Sequence, residues 1–410
     1  MRHDTTDGAI PPSFTRLAWS NLAAQSAEQI GLAAAPIVAV LALGAGAGAT
    51  GLLQTAQTLP FILFASPAGV LADRTSRARL MASAEAVRVL SLLAIVAFLL
   101  AGGLTLPWLA VLGFAGAAGT VAYSVAAPAL VPSLVPSSAL VAANGRLELA
   151  RTIAFTAGPA LAGGLVGWMG GATAFGLAAA LSAGAVVLLA GLGEPARAAV
   201  SPKHPLTDVR EGAAFVFGHS LLRPVYVTQF VFNVAFFVLQ AVYVPYAVHR
   251  LALSASEVGA TLATYGAGMV VGALLMSRIV RALPFGVVVA LGPVTGFVAA
   301  VVMVLTLWMP SVVLAGASFF LIGAGPIVWV ISTATLRQSV TPRALLGRVS
   351  AITLTSYGAR PLGAAIGAAV GALYGVELCL LLAALGFLAQ ALVILTSPVA
   401  RLTRQPEMVA

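Results

Sequence analysis

Long apolar stretches separated by short charged segments dominate this chain. Four stretches contain no Asp, Glu, Lys, Arg or His and two more contain only a few; they are 29–72, 89–145, 152–193 and 282–336, with 224–277 and 349–400. Each is about twice the roughly 20 residues that one membrane-spanning helix needs, and the apolarity is continuous rather than alternating as in a transmembrane β-strand. The pattern therefore predicts six helical hairpins, which make twelve transmembrane helices.

The two ends of these hairpins differ in charge. Turn signals rich in Gly, Pro or polar residues lie near the middle of the stretches, at 44–51, 101–107, 167–173, 249–257, 308–311 and 374–377. Of the 21 Lys and Arg residues, 18 fall in the connections between hairpins or in the tails. Arg250 falls in one of the mid-hairpin turns, and Arg88 and Arg360 fall inside spans. Because Lys and Arg accumulate on the cytoplasmic side, we expect both termini and the charged connections to be cytoplasmic.

A long polar connection divides the chain into two halves. The predicted segments are a cytoplasmic tail (1–16), a six-helix half (17–193), a cytoplasmic central loop (194–222), a second six-helix half (223–397) and a cytoplasmic tail (398–410). Within the central loop, the sequence 204–219 predicts a short amphipathic helix on the inner surface. A weak sequence similarity between 134–165 and 339–367 indicates that the halves are related repeats, as in many transporters.

Composition narrows the class of protein. The chain is 60% hydrophobic and 8% charged, against about 25% charged in soluble domains, so it is predicted to be a membrane protein. The net charge of +9 lies in short loops between apolar spans, where topology explains it, and we expect no nucleic-acid partner. The single cysteine, Cys379, and four scattered His residues predict no disulfide and no metal site. No Walker loop is present in the sequence, and we expect neither an enzyme nor a bound cofactor.

Charges concentrate in one short stretch, "GVLADRTSRARL" (69–80), directly after a run of 44 residues without a charge. Its pattern, Gly69-x-Leu71-Ala72-Asp73-Arg74-x-x-Arg77, resembles the signature between helices 2 and 3 of the major facilitator superfamily. The sequences 127–165 and 336–367, and Glu85-x-x-Arg88, are similar to the branch that contains the enterobactin exporter and macrolide efflux proteins.

This resemblance implies a fold and an activity. The fold is all-α, with twelve transmembrane helices in two pseudo-symmetric six-helix halves. The activity is secondary active transport by alternating access, in which small and fairly hydrophobic organic molecules are exported (drug-type efflux) in exchange for protons. The resemblance further implies a monomer in a bacterial cytoplasmic (inner) membrane, with the lipid bilayer, substrate and protons as its partners.

The charged stretch is predicted to be a conformational switch formed by Gly69, Asp73, Arg74 and Arg77. The resemblance implies that this loop faces the start of helix 11 on the cytoplasmic side. Asp73 would then meet a positively polarised helix end when the inner gate is closed. The alternative is that the arginines only hold this loop on the cytoplasmic side, and we favour that role for Arg79. It explains Asp73 poorly, because an acid contributes little to topology.

Polar groups inside the spans are candidates for coupling or for substrate contact, because a buried ionisable group in a membrane costs several kcal/mol. They are Glu28, Asn21 and Gln25, which form one stripe on helix 1, together with Gln229, Asn233 and Gln240 on helix 7 and Arg360 on helix 11. Glu28 and Arg360 lie near mid-depth, so they are predicted to pair or to meet substrate. A structural role is an equal alternative for Arg360, which can hold helix 11 against the carbonyls of a neighbouring helix. For any single Gln, an interhelical hydrogen bond explains its presence in a span equally well. For the helix 1 stripe, we favour the interpretation that it lines a cavity. The same alternatives apply to Tyr243 and Tyr246 on helix 7.

Two further sets are predicted to be structural. Glu85 and Arg88 are spaced i, i+3 in helix 3 and can satisfy each other as an ion pair. Gly158, Pro159 and Gly163 in helix 5 predict close helix packing and a kink, since Pro lacks the N–H that a helix interior uses. The resemblance to a Gly-Pro signature of exporters points to outward transport.

Three alternative functions stay open. A siderophore exporter would keep the fold and use Arg360 to contact an anionic cargo. A transport-dead receptor or assembly partner would lack a cavity. An importer is also possible, because gradients and not the fold set direction. Helix 4 (108–125) lacks the embedded Arg of many proton-coupled exporters, so the coupling ion is also open.

Overall fold

Fifteen α-helices make up the computed structural model, which describes residues 11–136, 139–192, 205–342 and 345–407. They are α1 (Pro12–Leu41), α2 (Ala47–Thr58), α3 (Pro60–Arg74), α4 (Arg77–Leu100), α5 (Leu106–Leu134), α6 (Leu140–Met169), α7 (Gly171–Ala190), α8 (Pro205–Gly218), α9 (Leu222–His249), α10 (Ala255–Ala282), α11 (Phe285–Leu305), α12 (Val312–Val340), α13 (Leu346–Thr355), α14 (Ala359–Leu373) and α15 (Val376–Leu395). The 3-10 helix Ser356–Gly358 joins α13 to α14, and a second one follows α15 at Pro398–Arg401.

The number of spans agrees with the sequence. In the described ranges, 10 helices are long and apolar enough to cross a membrane. The α2–α3 pair and the α13–α14 pair supply one further crossing each, in two pieces, which accounts for the predicted twelve. The helix α8 forms within 204–219, where a short helix is predicted.

Both interrupted spans break at a proline. The helix α3 begins at Pro60, whose ring and missing N–H end α2 two residues earlier, at Thr58. In the other span, Pro361 lies just inside α14, and the chain before it tightens into the 3-10 helix Ser356–Gly358. Such 3-10 segments within a helix commonly mark a functional irregularity.

The turns in the middle of the predicted hairpins lie where the sequence predicts them. Four are made with glycine in the left-handed region, namely Gly44 (φ +64°), Gly102 (φ +65°), Gly170 (φ +85°) and Gly375 (φ +90°). Only glycine adopts this conformation without steric cost, so these residues end one helix and start the next within a few positions.

The helices extend further into the charged segments than the uncharged runs indicate. Arg146 and Arg151, counted in a connection from the sequence, lie inside α6, and Arg337 lies in the last turn of α12. Helical hydrogen bonding continues through these residues, so the helix ends lie further along the chain than the charge pattern indicates.

The chain forms two compact units. Unit 1 comprises Met1–Val38 with Ala56–Val200, and unit 2 comprises Ala39–Thr55 with Ser201–Ala410. In unit 1, α4 packs against α5 and α7, and α3 packs against α5. Its core includes the fully buried Phe14, Leu17 and Met81.

Unit 2 is built around four helix pairs. The helix α12 packs against α10 and α11, and α9 packs against α14 and α15. Backbones approach closely at glycines: a Cβ on Gly323 of α12 would overlap the carbonyl oxygen of Tyr265 in α10, and one on Gly363 of α14 would overlap that of Val234 in α9. Small residues allow this approach, which drives helix association in lipid.

The helix α8 is attached to the start of α13. Glu211 forms an ion pair with Arg348, and a Cβ on Gly212 would lie 2.8 Å from the carbonyl oxygen of Arg348. After α8, the Nδ1 atom of His219 accepts a hydrogen bond from the backbone N–H of Leu221 (3.1 Å). Burial lowers the pKa of His219 below its ordinary value, which favours the neutral ring.

Candidate functional site

The charged stretch 69–80 forms the end of α3, a two-residue connection and the start of α4. Thr75 is extended and ends α3, and the side chain of Ser76 accepts a hydrogen bond from the backbone N–H of Arg79 (3.3 Å), which caps α4. Arg74 is exposed and Arg77 is half-buried. Gly69 and Asp73 belong to α3, but their side chains lie outside the described residues, so the switch stays a prediction.

Glu85 and Arg88 form a buried ion pair in unit 1. The Arg88 Nη1 atom lies 2.6 Å from Glu85 Oε1, and both side chains are at most 5% exposed. Ser182 of α7 donates to Glu85 Oε2 (2.6 Å), while Arg88 donates to Thr120 Oγ1 of α5 (2.5 Å) and to the carbonyl oxygen of Ala24 in α1 (3.2 Å). The pair therefore joins four helices through hydrogen bonds with three residues that are distant in sequence.

The polar stripe of α1 also lies in unit 1. Asn21 is buried and donates to the carbonyl oxygen of Leu147 in α6 (3.3 Å). Gln25 and Glu28 are half-buried, so each keeps some exposed surface. The stripe thus combines one packed residue with two that keep part of their surface exposed.

The Gly-Pro segment of predicted helix 5, which is α6 in the structure, packs against α1. A Cβ on Gly158 would lie 2.5 Å from the Cβ of Gln29 in α1, so α6 and α1 approach closely there. Pro159 lies inside α6, and Gly163 is buried beside it. The close approach agrees with what small residues are expected to do at this position.

Three residues of unit 2 surround the guanidinium group of Arg360. Its Nε donates to Asn233 Oδ1 (3.2 Å), and its Cζ lies 4.2 Å from the ring centroid of Tyr357 and 5.5 Å from that of Phe237. Tyr357 and Arg360 are three residues apart across the end of the 3-10 helix, where side chains at i and i+3 eclipse. We call Asn233, Phe237, Tyr357 and Arg360 the α9–α14 cluster.

The cluster continues through neighbouring side chains. Asn233 is buried and donates through Nδ2 to the backbone carbonyl of Gln229 (2.9 Å). Phe237 contacts Phe236 (ring centroids 5.5 Å apart), which stacks on Tyr265 of α10 (5.9 Å). The guanidinium group of Arg360 therefore lies at one end of an aromatic surface on α9.

Arg337 of α12 is a residue that the sequence analysis did not single out. Its Nε is buried without a hydrogen-bond partner. Its place at the end of an uncharged run predicts a connection, whereas the structure places it in the last turn of α12.

The remaining polar residues of α9 have different surroundings. Gln240 is half-buried. Tyr243 and Tyr246 are at most 1% exposed, and their hydroxyl groups bond to Thr261 and to Thr306 (2.6 Å for the latter). These two tyrosines join helices within unit 2 and do not line an open surface of it. Within the described parts of the chain, no three His, Cys, Asp or Glu residues are grouped as a metal site requires.

Comparison with known proteins identifies the family. Residues 17–408 match the family described as transmembrane secretion effector, a group of MFS-type proteins. The chain belongs to this family of the major facilitator superfamily. It is also 33% identical over 252 residues to the uncharacterized MFS-type transporter y4rN of Sinorhizobium fredii, a match that covers 59% of this chain and 60% of that protein.

Solved structures of transporters share this fold. A bacterial homologue of the human lysosomal transporter Spinster gives a TM-score of 0.72 at 15% identity, covering 96% of this chain and 98% of that one. The nucleoside transporter NupG gives 0.74 at 12% identity, covering 94% and 98%. A bacterial homologue of the iron transporter ferroportin gives 0.70 at 16% identity, covering 93% and 99%. The chain therefore has the fold of a multi-pass membrane transporter, in agreement with its family.

Proposed function

We propose that this transporter exports small, fairly hydrophobic organic molecules in exchange for protons, by alternating access, across a bacterial inner membrane with both termini cytoplasmic. The observation that carries the proposal is Glu28, a half-buried carboxyl group in the spanning helix α1. An ionisable group inside a membrane is costly and marks a site of coupling or substrate contact by default. Export rather than import rests on the resemblance to efflux proteins.

The proposed roles follow from positions along the helices. Glu28 would take up and release the coupling proton, with Asn21 and Gln25 on the same stripe. Arg360 and Asn233 would contact the substrate in unit 2, with Gln229 and Gln240 of the same helix as further candidates. Glu28 belongs to unit 1 and Arg360 to unit 2, and their pairing stays a prediction.

A siderophore exporter is the second candidate function. The observation that favours it is the contact of Arg360 with Asn233 and two aromatic rings, since such a group suits a flat, anionic catecholate or hydroxamate.

The test uses the full chain reconstituted in proteoliposomes with an imposed pH gradient. Transport is measured for a cationic, a neutral and an anionic dye (ethidium, Nile red and fluorescein) and for a catecholate siderophore, with a lumenal pH indicator reporting proton movement. We expect transport of at least one dye with proton counterflow. Transport of the catecholate alone would favour the siderophore function, and a chain that moves none of these compounds would contradict the proposal.

Variants assign the proton site. Glu28→Gln should reduce transport at least tenfold and remove its pH dependence, because a glutamine cannot exchange a proton. Glu148→Gln serves as the control, since Glu148 is an exposed carboxyl group paired with Arg151. If Glu28→Gln transports with the same pH response as the unaltered chain, Glu28 is not the coupling residue.

A further inference from the structure

The last third of α10 has few neighbours in unit 2. Up to Gly272 this helix packs closely on α12, because a Cβ on Gly272 would overlap a backbone carbonyl of that helix. From 273 to 284, by contrast, every residue is exposed except Met276 and Ile279, which are half-buried. The helix nevertheless continues to Ala282, since helical hydrogen bonds lie within the segment and need no neighbouring element.

The exposed side chains form an apolar stripe that ends in two arginines. Six exposed residues share one face, within about 160° of the helix circumference at about 100° per residue; they are Val271, Leu274, Leu275, Ser277, Arg278 and Arg281. They line an open groove of about 560 Å³, which we call the α10 groove. Gly272, Met276 and Ile279 lie on the opposite face of the helix, so the groove points away from the residues that α10 packs against.

The two arginines of the groove have no acceptor in the described parts of the chain. Neither Arg278 nor Arg281 makes a hydrogen bond or an ion pair there. Glu257, the acid of the same helix, lies at the opposite end in a capping box with Ser254. A cation near the end of a helix is favourable, and loop arginines orient a membrane protein. Both of these roles need only positive charge, and they leave the apolar stripe unexplained.

The order of the side chains along α10 specifies a ligand. The helix is a spanning segment of 28 residues and thus about 42 Å long, which exceeds the roughly 30 Å of the hydrocarbon core. Its end therefore lies among lipid headgroups, while the turn at Leu274, about 10 Å before Arg281, meets acyl chains. A guanidinium group is always charged and offers parallel N–H donors that match a phosphate. Basic residues at this depth attract anionic lipids.

We propose that the α10 groove binds an anionic phospholipid, with the headgroup phosphate held by Arg278 and Arg281. Ser277, on the same face, supplies a further hydroxyl donor, and the apolar residues of the stripe contact an acyl chain. A soluble phosphate compound would use the arginines and gain nothing from the apolar residues, so the composition of the groove favours a lipid. The inference does not depend on which molecule the protein transports.

The experiment is native mass spectrometry of the purified full chain released from detergent micelles. The probes are dioleoylphosphatidylglycerol, dioleoylphosphatidylcholine, which has the same acyl chains and no net charge, and glycerol 3-phosphate, which has no acyl chain. The Kd of the first bound molecule follows from the populations of free and bound protein. We expect phosphatidylglycerol to bind about tenfold more tightly than phosphatidylcholine, because only the former is anionic. Glycerol 3-phosphate should bind at least about a hundredfold more weakly, because it buries no acyl chain.

Variants of the arginines locate the bound headgroup. The double variant Arg278→Gln with Arg281→Gln should weaken phosphatidylglycerol binding about tenfold and leave phosphatidylcholine binding unchanged. The matched control is Arg401→Gln with Arg404→Gln, which removes two exposed arginines of the same spacing from the segment after α15. It should keep the affinity of the unaltered chain. Replacing Arg278 and Arg281 by Lys should cause a smaller loss than Gln, because lysine keeps the charge without the fork.

A leucine variant tests the acyl-chain contact. Leu274→Gln should weaken phosphatidylglycerol binding about fivefold, because the new amide replaces apolar surface in the groove. Leu385→Gln in α15 is the control, since Leu274 and Leu385 are 73% and 60% exposed and both lie in spanning helices of unit 2. The control should bind the lipid as the unaltered chain does.

Three results would overturn the proposal. Unchanged phosphatidylglycerol binding by Arg278→Gln with Arg281→Gln, or an equal loss in the control pair, would reduce these arginines to orienting the protein. Glycerol 3-phosphate binding as tightly as phosphatidylglycerol would make the ligand a soluble phosphate. Equal effects of Leu274→Gln and Leu385→Gln would remove the acyl chain from the groove. Because no transport is measured, these outcomes leave the proposed function to the proteoliposome experiment.

Discussion

At the scale of single residues, the best-defined polar contact is the ion pair of Glu85 and Arg88. Each partner is held by a further hydrogen bond, from Ser182 to the carboxylate and from Arg88 to Thr120. Removing one charge of a buried pair leaves the other uncompensated, whereas exposed pairs contribute little to stability. Unit 1 contains an exposed pair with the same i, i+3 spacing, Glu148 and Arg151, which allows a direct comparison.

We predict that Arg88→Met lowers the free energy of unfolding by about 3–5 kcal/mol, because the carboxylate of Glu85 stays buried without its cation. Arg151→Met should change it by less than about 1 kcal/mol. Reversible unfolding in mixed micelles measures both values. The double variant Glu85→Leu with Arg88→Met should regain part of the loss. Equal effects of Arg88→Met and Arg151→Met would show that burial does not determine the contribution of this pair.

The residue scale also shows what the sequence can predict. The spacing of Glu85 and Arg88 indicates their pairing, since residues three apart face each other on a helix. Their partners Ser182 and Thr120 lie about a hundred and about thirty positions away in the chain, and only tertiary packing selects them. Arg337 is missed because hydropathy places it at a loop boundary, whereas α12 continues to Val340.

At the scale of helices, close glycine contacts define unit 2. Gly268 and Gly272 of α10, and Gly323 of α12, each lie against a backbone carbonyl of the other helix. The spans and their turns follow from hydropathy and from Gly and Pro signals, and these predictions are confirmed. The breaks before Pro60 and at Ser356–Gly358 are not predicted, although a proline is present at each, because prolines at other positions, such as Pro159, stay inside a helix.

We predict that Gly323→Ala destabilises unit 2 by about 1–3 kcal/mol, because the new Cβ overlaps the carbonyl oxygen of Tyr265 and forces α10 and α12 apart. Gly184→Ala is the matched control, since a Cβ on this residue of α7 meets nothing within 4 Å. The control should be neutral, or more stable by up to about 1 kcal/mol, because alanine favours the helix. Thermal unfolding of both variants in one detergent gives the comparison. A loss of stability in Gly184→Ala as large as in Gly323→Ala would contradict close contact as the cause.

At the scale of the whole molecule, transport requires two states whose free energies differ by only a few kcal/mol. The charged residues at 73–79 lie on two helix ends joined by Thr75 and Ser76, so they belong to one short connection. A contact of about 1–2 kcal/mol there would change the populations of the two states by a factor of roughly 5–30. A weak local interaction is therefore sufficient to control a global equilibrium.

We predict that Asp73→Asn opens the proposed inner gate more often. The measurement is amide hydrogen exchange in peptides covering 68–80 and 346–356, which needs no identified substrate. Loss of the carboxylate should increase exchange about tenfold in both peptides, because each is protected only while the gate is closed. Arg79→Gln changes the charge of the same connection at an exposed residue, for which topology is the favoured role, and it should leave exchange within about twofold of the unaltered chain. Equal exchange in Asp73→Asn and in the unaltered chain would restrict this stretch to orienting the protein in the membrane. An increase confined to 68–80 would place the contact of Asp73 within its own connection instead of at helix 11.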